Sequence, residues 1–404
     1  MPELPPFGLL RLPAEIRFGV GAAGTAAAVV ERFGRRVLLC TDRILSATPA
    51  FRSLHAELEG RGHAVLVLDD VQAELPLGSV LAAAELARGF GPDVVVGYGG
   101  GSALDLAKLV ALLVSHPRPV ADFYGENRVP GPVLPVVAIP TTAGTGSEVT
   151  PVAVLSDPDR ALKVGVSDPA LIPRAAVVDP QLTVGAPPAV TAHSGIDAFV
   201  HAVESFTASG RFTEWPETLG VFVGRNRLSS GLALDAVRLV SGSLRTAVTD
   251  GSDLAARTDM ALGSLYAGMA FGTAGTHLSH AIQYPVGTLT RTPHGLGTGL
   301  LLPFVLEACA PAIGAELVGI GTAMGLPDPS VPATLAAVRA LVADIGIPGS
   351  LAELGMQRTD LPRVVELSLG VTRLVGNAPL PGSAELVTEI VTAAFEGRPA
   401  RALA

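Results

Sequence analysis

The chain has 404 residues, 49% of them hydrophobic, and a formal net charge of −9. That length exceeds what one hydrophobic core supports, so two domains are expected, and the acidic balance argues against nucleic acid or an anionic membrane as partner. No run of eighteen apolar residues marks a membrane span, the N-terminus lacks the layout of a signal peptide, and Cys40 and Cys309 make no disulfide framework, so a cytoplasmic location is expected.

From about residue 35 to 140, short β-branched runs alternate with amphipathic stretches, the pattern of a doubly wound α/β domain with a mostly parallel sheet. Strands are predicted over Val37–Cys40, His63–Leu68, Asp93–Val96 and Val133–Ile139, with a helix over Ala82–Phe90. Asp42 follows the first strand and is placed to accept from ribose hydroxyls. The third strand runs into Gly99-Gly100-Gly101-Ser102 and then a helix containing Asp105 and Lys108. Adjacent glycines let backbone approach a pyrophosphate, and a helix N-terminus offers unpaired N–H groups; a ligand-free tight turn fits the same residues. After the fourth strand, Pro140–Thr150 is crowded with hydroxyls that can donate to phosphate or ribose oxygens. Pro187-Pro188 suits a helix first turn, and beyond it the pattern is helical. The domain division is therefore 1–185, α/β, and 186–404, all-α.

Within the helical part, Asp197 and His201 stand four apart and share one helix face. His280 and His294 follow, and five of the eight histidines (193, 201, 277, 280, 294) fall in this window. One carboxylate and three imidazoles suit Fe(II), Zn(II) or a neighbouring divalent metal. Taken alone, the Asp197–His201 pair also fits an ordinary helix-surface pair. Lys108 and Lys163 are the only lysines among 28 Lys and Arg.

Together these motifs, with Phe18-Gly19-Val20-Gly21-Ala22, Val178-Asp179-Pro180, Pro293-His294-Gly295 and Gly376-Asn377-Ala378-Pro379, resemble the iron-containing (group III) alcohol dehydrogenase family over nearly the whole chain. The resemblance implies a Rossmann-like dinucleotide-binding domain, a helical domain of the dehydroquinate synthase-like kind, and a metal in the cleft between them. It implies Asp197, His201, His280 and His294 as ligands of one divalent metal, Fe(II) in preference to Zn(II). It further implies that Asp42, Gly99, Gly100, Gly101, Ser102, Thr141, Thr142, Thr145, Thr150 and Lys163 bind NAD, while Lys108 reads as structural.

The expected activity is NAD-dependent hydride transfer on a small alcohol or aldehyde, by a homodimer. Alternatives are a hydroxyacid–oxoacid transhydrogenase or an oxoacid- or phosphonate-type aldehyde reductase of the same family. A sugar-phosphate lyase or polyol-phosphate dehydrogenase is disfavoured, because the ligand helix lacks the cations such substrates need. Tyr284 stands where many members have a second histidine, as in the transhydrogenases, although their longer insert between the third and fourth ligands is absent. Tyr284 and His277 are the candidate proton-transfer residues. Gly210–Arg225, with Phe212, Trp215 and Phe222, reads as an insertion that covers the substrate or makes a subunit contact.

Overall fold

The computed structural model describes residues 7–160, 162–210, 215 and 217–403. The chain forms two units: Arg11–Ala186, and Pro187 onward joined by residues 7–10. The N-terminal segment belongs with the helical unit because Leu9 N–H donates to Asn226 Oδ1 (3.2 Å) and Phe7 C=O accepts from Arg227 N–H (3.0 Å). Among the described residues no helix is long and apolar enough to cross a membrane.

Among the described residues the first unit holds nine strands: β1 (Glu15–Phe18), β2 (Arg36–Cys40), β3 (Ala64–Leu68), β4 (Val94–Gly99), β5 (Gly125–Glu126), β6 (Val136–Pro140), β7 (Val152–Leu155), β8 (Val164–Ser167) and β9 (Ala175–Val178). Six form a parallel sheet in the order β1-β9-β6-β4-β2-β3, and β5-β8-β7 form a small second sheet. Alternation along the strands sends side chains to opposite faces. Leu38, Cys40 and Val95 pack with the helices α2 (Leu77–Phe90) and α3 (Gly101–Ser115), whereas Val37, Leu39, Val94 and Val96 pack with α1 (Pro49–Gly60). The sheet is thus covered on both faces, the arrangement that buried parallel strands require.

The order matters for ligand binding. From β2 the chain moves outward to β3, then returns to the other side at β4, so the switch point lies between β2 and β4. Open α/β sheets take ligands at the carboxyl ends of strands at such a point. At the far edge Gly19 N–H donates to Val178 C=O (3.0 Å) and Asp179 accepts from Ala23 N–H (3.0 Å), which explains why the motifs around residues 18–22 and 178–180 occur together.

The second unit is built around α4 (Pro188–Thr207), which opens with Pro at its first position and is buried on every side from Gly195 to Thr207. It packs against α5 (Arg227–Thr249), α6 (Leu254–Ala274) and α8 (His294–Cys309), and α7 (Leu278–Thr290) meets it through hydrogen bonds to Glu204. The 210–225 segment begins and ends in a bridge between Gly210 and Gly224. Phe222 is buried under the Arg373 guanidinium, while Trp215 is 59% exposed with its ring edge against Phe7; Phe212 lies outside the described residues.

Candidate functional site

In the helical unit, α4, α7 and α8 bring four side chains together. Asp197 Oδ1 lies 3.8 Å from His280 Nε2 and 3.9 Å from His294 Nε2, and Asp197 Oδ2 lies 3.8 Å from His201 Nε2. One donor atom each from Asp197, His280 and His294 falls within a 4.8 Å set. His201 stands just outside that triplet, stacked between the rings of Phe271 (4.1 Å) and His280 (4.8 Å). A tetrahedral ion with bonds of ~2.1 Å needs donors ~3.4 Å apart; the two Asp197–histidine distances of 3.8 and 3.9 Å are close to that, and the triplet, which spans up to 4.8 Å, would draw in further around an ion.

The surroundings agree with that use. Asp197, His201 and His280 are almost wholly buried, and His280 Nε2 has no hydrogen-bond partner among the described residues. A buried imidazole nitrogen left unpaired is costly unless something accepts its lone pair. Burial pushes the Asp197 carboxyl up, but His201, His294, His280 and the Thr298 hydroxyl together outweigh burial and hold it below the usual carboxylate range. Thr298 Oγ1 donates to Asp197 Oδ1 at 2.8 Å, one turn after His294, and so fixes the carboxylate. The donor set therefore fits a divalent cation.

Tyr284 follows His280 by one turn, its ring 6.2 Å from that of His294 and packed against Ala281, Leu374 and Val375. His277 is fully buried at the N-cap of α7. Thr207 Oγ1 lies 2.8 Å from Val203 C=O, to which it can donate, and 2.9 Å from His277 Nε2. Burial lowers the His277 pKa, against the opposing charge of Glu204. Such a histidine is suited to holding the start of α7. Asn377 supports the same turn, donating to Ala274 and Thr276 C=O at 3.0 and 3.1 Å.

In the α/β unit the glycine turn and the hydroxyl loop leave neighbouring strands side by side, with Gly99 in register with Pro140. A Cβ on Gly101 would sit 2.7 Å from Thr145 Cγ2, so the close approach of Gly99–Ser102 to Thr141, Thr142 and Thr145 depends on glycine there. Lys108 is fully buried and clamps the loop's far end, donating to the C=O groups of Thr150 (2.9 Å) and Val152 (2.8 Å). Burial pulls its pKa down to about 8 and lifts the nearby Glu148 carboxyl to about 7. Asp105 accepts from Ser147 Oγ (2.6 Å) and Val154 N–H (3.0 Å), fastening the same loop to α3. Lys163 forms an ion pair with Glu74.

Asp42 stands across the switch point from the glycine turn, two residues after the end of β2, the strand paired directly with β4. Its Oδ1 caps the short helix Arg43–Ser46, accepting from Ile44 and Leu45 N–H at 2.9 Å each. Sequence reasoning did not anticipate Glu204, Thr298 or Phe271 around the Asp197–histidine cluster, although Glu204 stands seven residues after Asp197 and three after His201, on the same helix face.

Fold and centre together define an α/β unit joined in one chain to a helical unit carrying a carboxylate–histidine site for a divalent cation. The model of the iron-containing alcohol dehydrogenases matches residues 13–180, and that of the Fe-containing alcohol dehydrogenase family's C-terminal part matches 191–395; the chain belongs to this family of enzymes. It is 38% identical to long-chain-alcohol dehydrogenase 1 of Geobacillus thermodenitrificans (strain NG80-2), over 94% of each chain. Among solved structures it is similar to 1,3-propanediol oxidoreductase, with a TM-score of 0.89 and 30% identity over 96% of this chain and 100% of the other. It is also similar to the sulfoacetaldehyde reductase of Bifidobacterium kashiwanohense in complex with NAD+, with a TM-score of 0.81 and 27% identity over 96% and 98% of the two chains.

Proposed function

We propose that the protein interconverts a small primary alcohol and its aldehyde, using NAD(H) bound by the α/β unit and one divalent metal, Fe(II) in preference to Zn(II), held by Asp197, His201, His280 and His294. The observation that carries this reading is the buried His280 Nε2, without a hydrogen-bond partner among the described residues and 3.8 Å from a carboxylate oxygen. A bound cation would supply Lewis acidity to the substrate oxygen, and a bound nicotinamide the hydride chemistry. The chain's own part is to hold and orient. Asp197 supplies the negative charge of the site and Thr298 fixes its direction, while Phe271 and His201 stack and so restrict each other. Gly99–Ser102 and the hydroxyls of Thr141, Thr142, Thr145 and Thr150 are assigned to the dinucleotide, and Lys163 would reach it by leaving Glu74. The protein is expected to work as a homodimer in the cytoplasm. Elemental analysis of anaerobically purified protein, with NADH oxidation followed across short aldehydes and oxoacids, tests the reading; less than one divalent metal per chain after reconstitution, or no aldehyde-dependent oxidation, would reject it.

Asp42 is expected to favour NADH, accepting from the adenosine ribose hydroxyls and repelling a 2′-phosphate. Because Asp42 also caps a helix turn, Asp42→Ser is the informative change: Ser keeps the cap and removes the charge. The NADH preference should shrink about tenfold, since losing one charge repulsion of order 1.4 kcal/mol changes a ratio by that factor. A wild-type enzyme faster with NADPH at equal concentration contradicts this assignment.

Tyr284 is expected to shape the substrate site. Tyr284→Phe should lower kcat by less than about tenfold, well short of the ~10²–10⁴ of a lost general acid–base group, and change mainly KM. A thousandfold loss at saturating substrate with metal content intact would make Tyr284 the proton donor.

A further inference from the structure

Glu204 lies on α4 one turn beyond His201 and is completely buried. Four polar groups converge on its carboxylate. Oε2 accepts from His277 N–H (2.8 Å) and faces His280 Nδ1 (2.7 Å), while Oε1 accepts from Ser279 N–H (2.6 Å) and lies 3.3 Å from His277 Nδ1. Two of these are N–H groups at the start of α7, of its N-cap His277 and its first-turn Ser279, which have no partner within the helix itself. The third is the ring nitrogen of His280 opposite to the one that faces Asp197.

We propose that Glu204 is a positioning residue for the metal centre: by accepting from His280 Nδ1–H it fixes the tautomer that leaves Nε2 unprotonated, and it locks α7 at the height that aims this nitrogen at Asp197. The inference rests on the metal reading above and extends it to a residue that does not touch the ion. A carboxylate cannot donate, so a ring nitrogen 2.7 Å from it must carry the hydrogen. Nε2, lacking any hydrogen-bond partner among the described residues, is then the ring's lone pair. Carboxylates of this kind both orient a ligating imidazole and raise its basicity, and losing one typically weakens metal affinity 10–100-fold. The negative charge also favours the positive end of α7.

Two measurements separate this role from plain support of the helix. In metal-free wild-type protein labelled with ¹⁵N-histidine at pH 8.5, the His280 signals, assigned by their absence from His280→Ala, should show a protonated Nδ1. An unprotonated Nδ1 overturns the proposal, and this readout needs neither metal nor a variant that folds poorly. Second, Glu204→Gln, which replaces one accepting oxygen by an NH₂ group, should bind zinc 10–100-fold more weakly in chelator competition and change the visible spectrum of the cobalt-substituted site. Zinc affinity within about twofold of wild type in a folded Glu204→Gln protein overturns it too. If wild-type protein binds no zinc while His280 Nδ1 is protonated, the metal reading fails and the hydrogen-bond assignment stands, so the two failures are distinguishable.

Discussion

His294→Ala should yield a folded protein that keeps essentially no divalent metal and loses aldehyde-dependent NADH oxidation by ~10³-fold or more, since Lewis-acid stabilisation amounts to several kcal/mol and each 1.36 kcal/mol is tenfold in rate. His294 is the donor best suited to this test. Its side chain is 30% exposed at the first position of α8, so truncating it removes a ligand without opening a cavity in the core. Removing Asp197 would instead leave three imidazoles close together without their carboxylate. Circular dichroism should be unchanged for His294→Ala, and the melting temperature of the metal-free protein should stay within a few degrees of wild type, because changes away from the core fall within about ±0.5 kcal/mol. Full metal content by elemental analysis would show that the assigned donor set is wrong.

Much of this centre was legible because helix periodicity converts spacing into geometry. Asp197 and His201 share a face by arithmetic alone, and the same arithmetic reaches Glu204 at the seventh position. A glutamate on a helix is ordinarily a solvated residue, so spacing alone does not mark Glu204; its burial among four polar neighbours follows from how the start of α7 meets α4. The sheet shows the same contrast. Strands with continuous apolar runs, such as Val94–Gly99, announce themselves, whereas Glu15–Phe18 alternates charge with apolar residues at a sheet edge, and the β5-β8-β7 sheet is built from pieces of two to four residues. Asp42 was located correctly at a strand end, but its capping bonds follow from the turn after it. Docking of residues 7–10 on Asn226 depends on contacts across 217 positions, which no local pattern encodes. Only knowledge of the strand order explains why the glycine turn stands on β4: that strand is the neighbour of β2 across the switch point.

The approach of α8 to α4 makes the strongest demand on a residue that carries no chemistry. A Cβ on Gly295 would lie 2.1 Å from His193 C=O and 2.9 Å from Asp197 Cβ, and one on Gly299, a turn later, 2.7 Å from Ile196 Cγ1. The two glycines thus let the backbones of α8 and α4 meet, and that meeting brings His294 beside Asp197. In an exposed helix Gly→Ala stabilises by up to ~1 kcal/mol, but here overpacking against rigid backbone costs ~1–3 kcal/mol and the helices must separate. Gly295→Ala should therefore lower the melting temperature and abolish metal retention together. Gly297→Ala is the control. Its Cβ would meet chiefly the end of the Gln283 side chain, at 1.6 Å from Oε1, and a side-chain amide can swing aside where a backbone carbonyl cannot. That variant should retain its metal, with a smaller loss of stability. A Gly295→Ala protein that holds one metal per chain and melts with wild type would show that the approach of α8 to α4 does not set the position of His294.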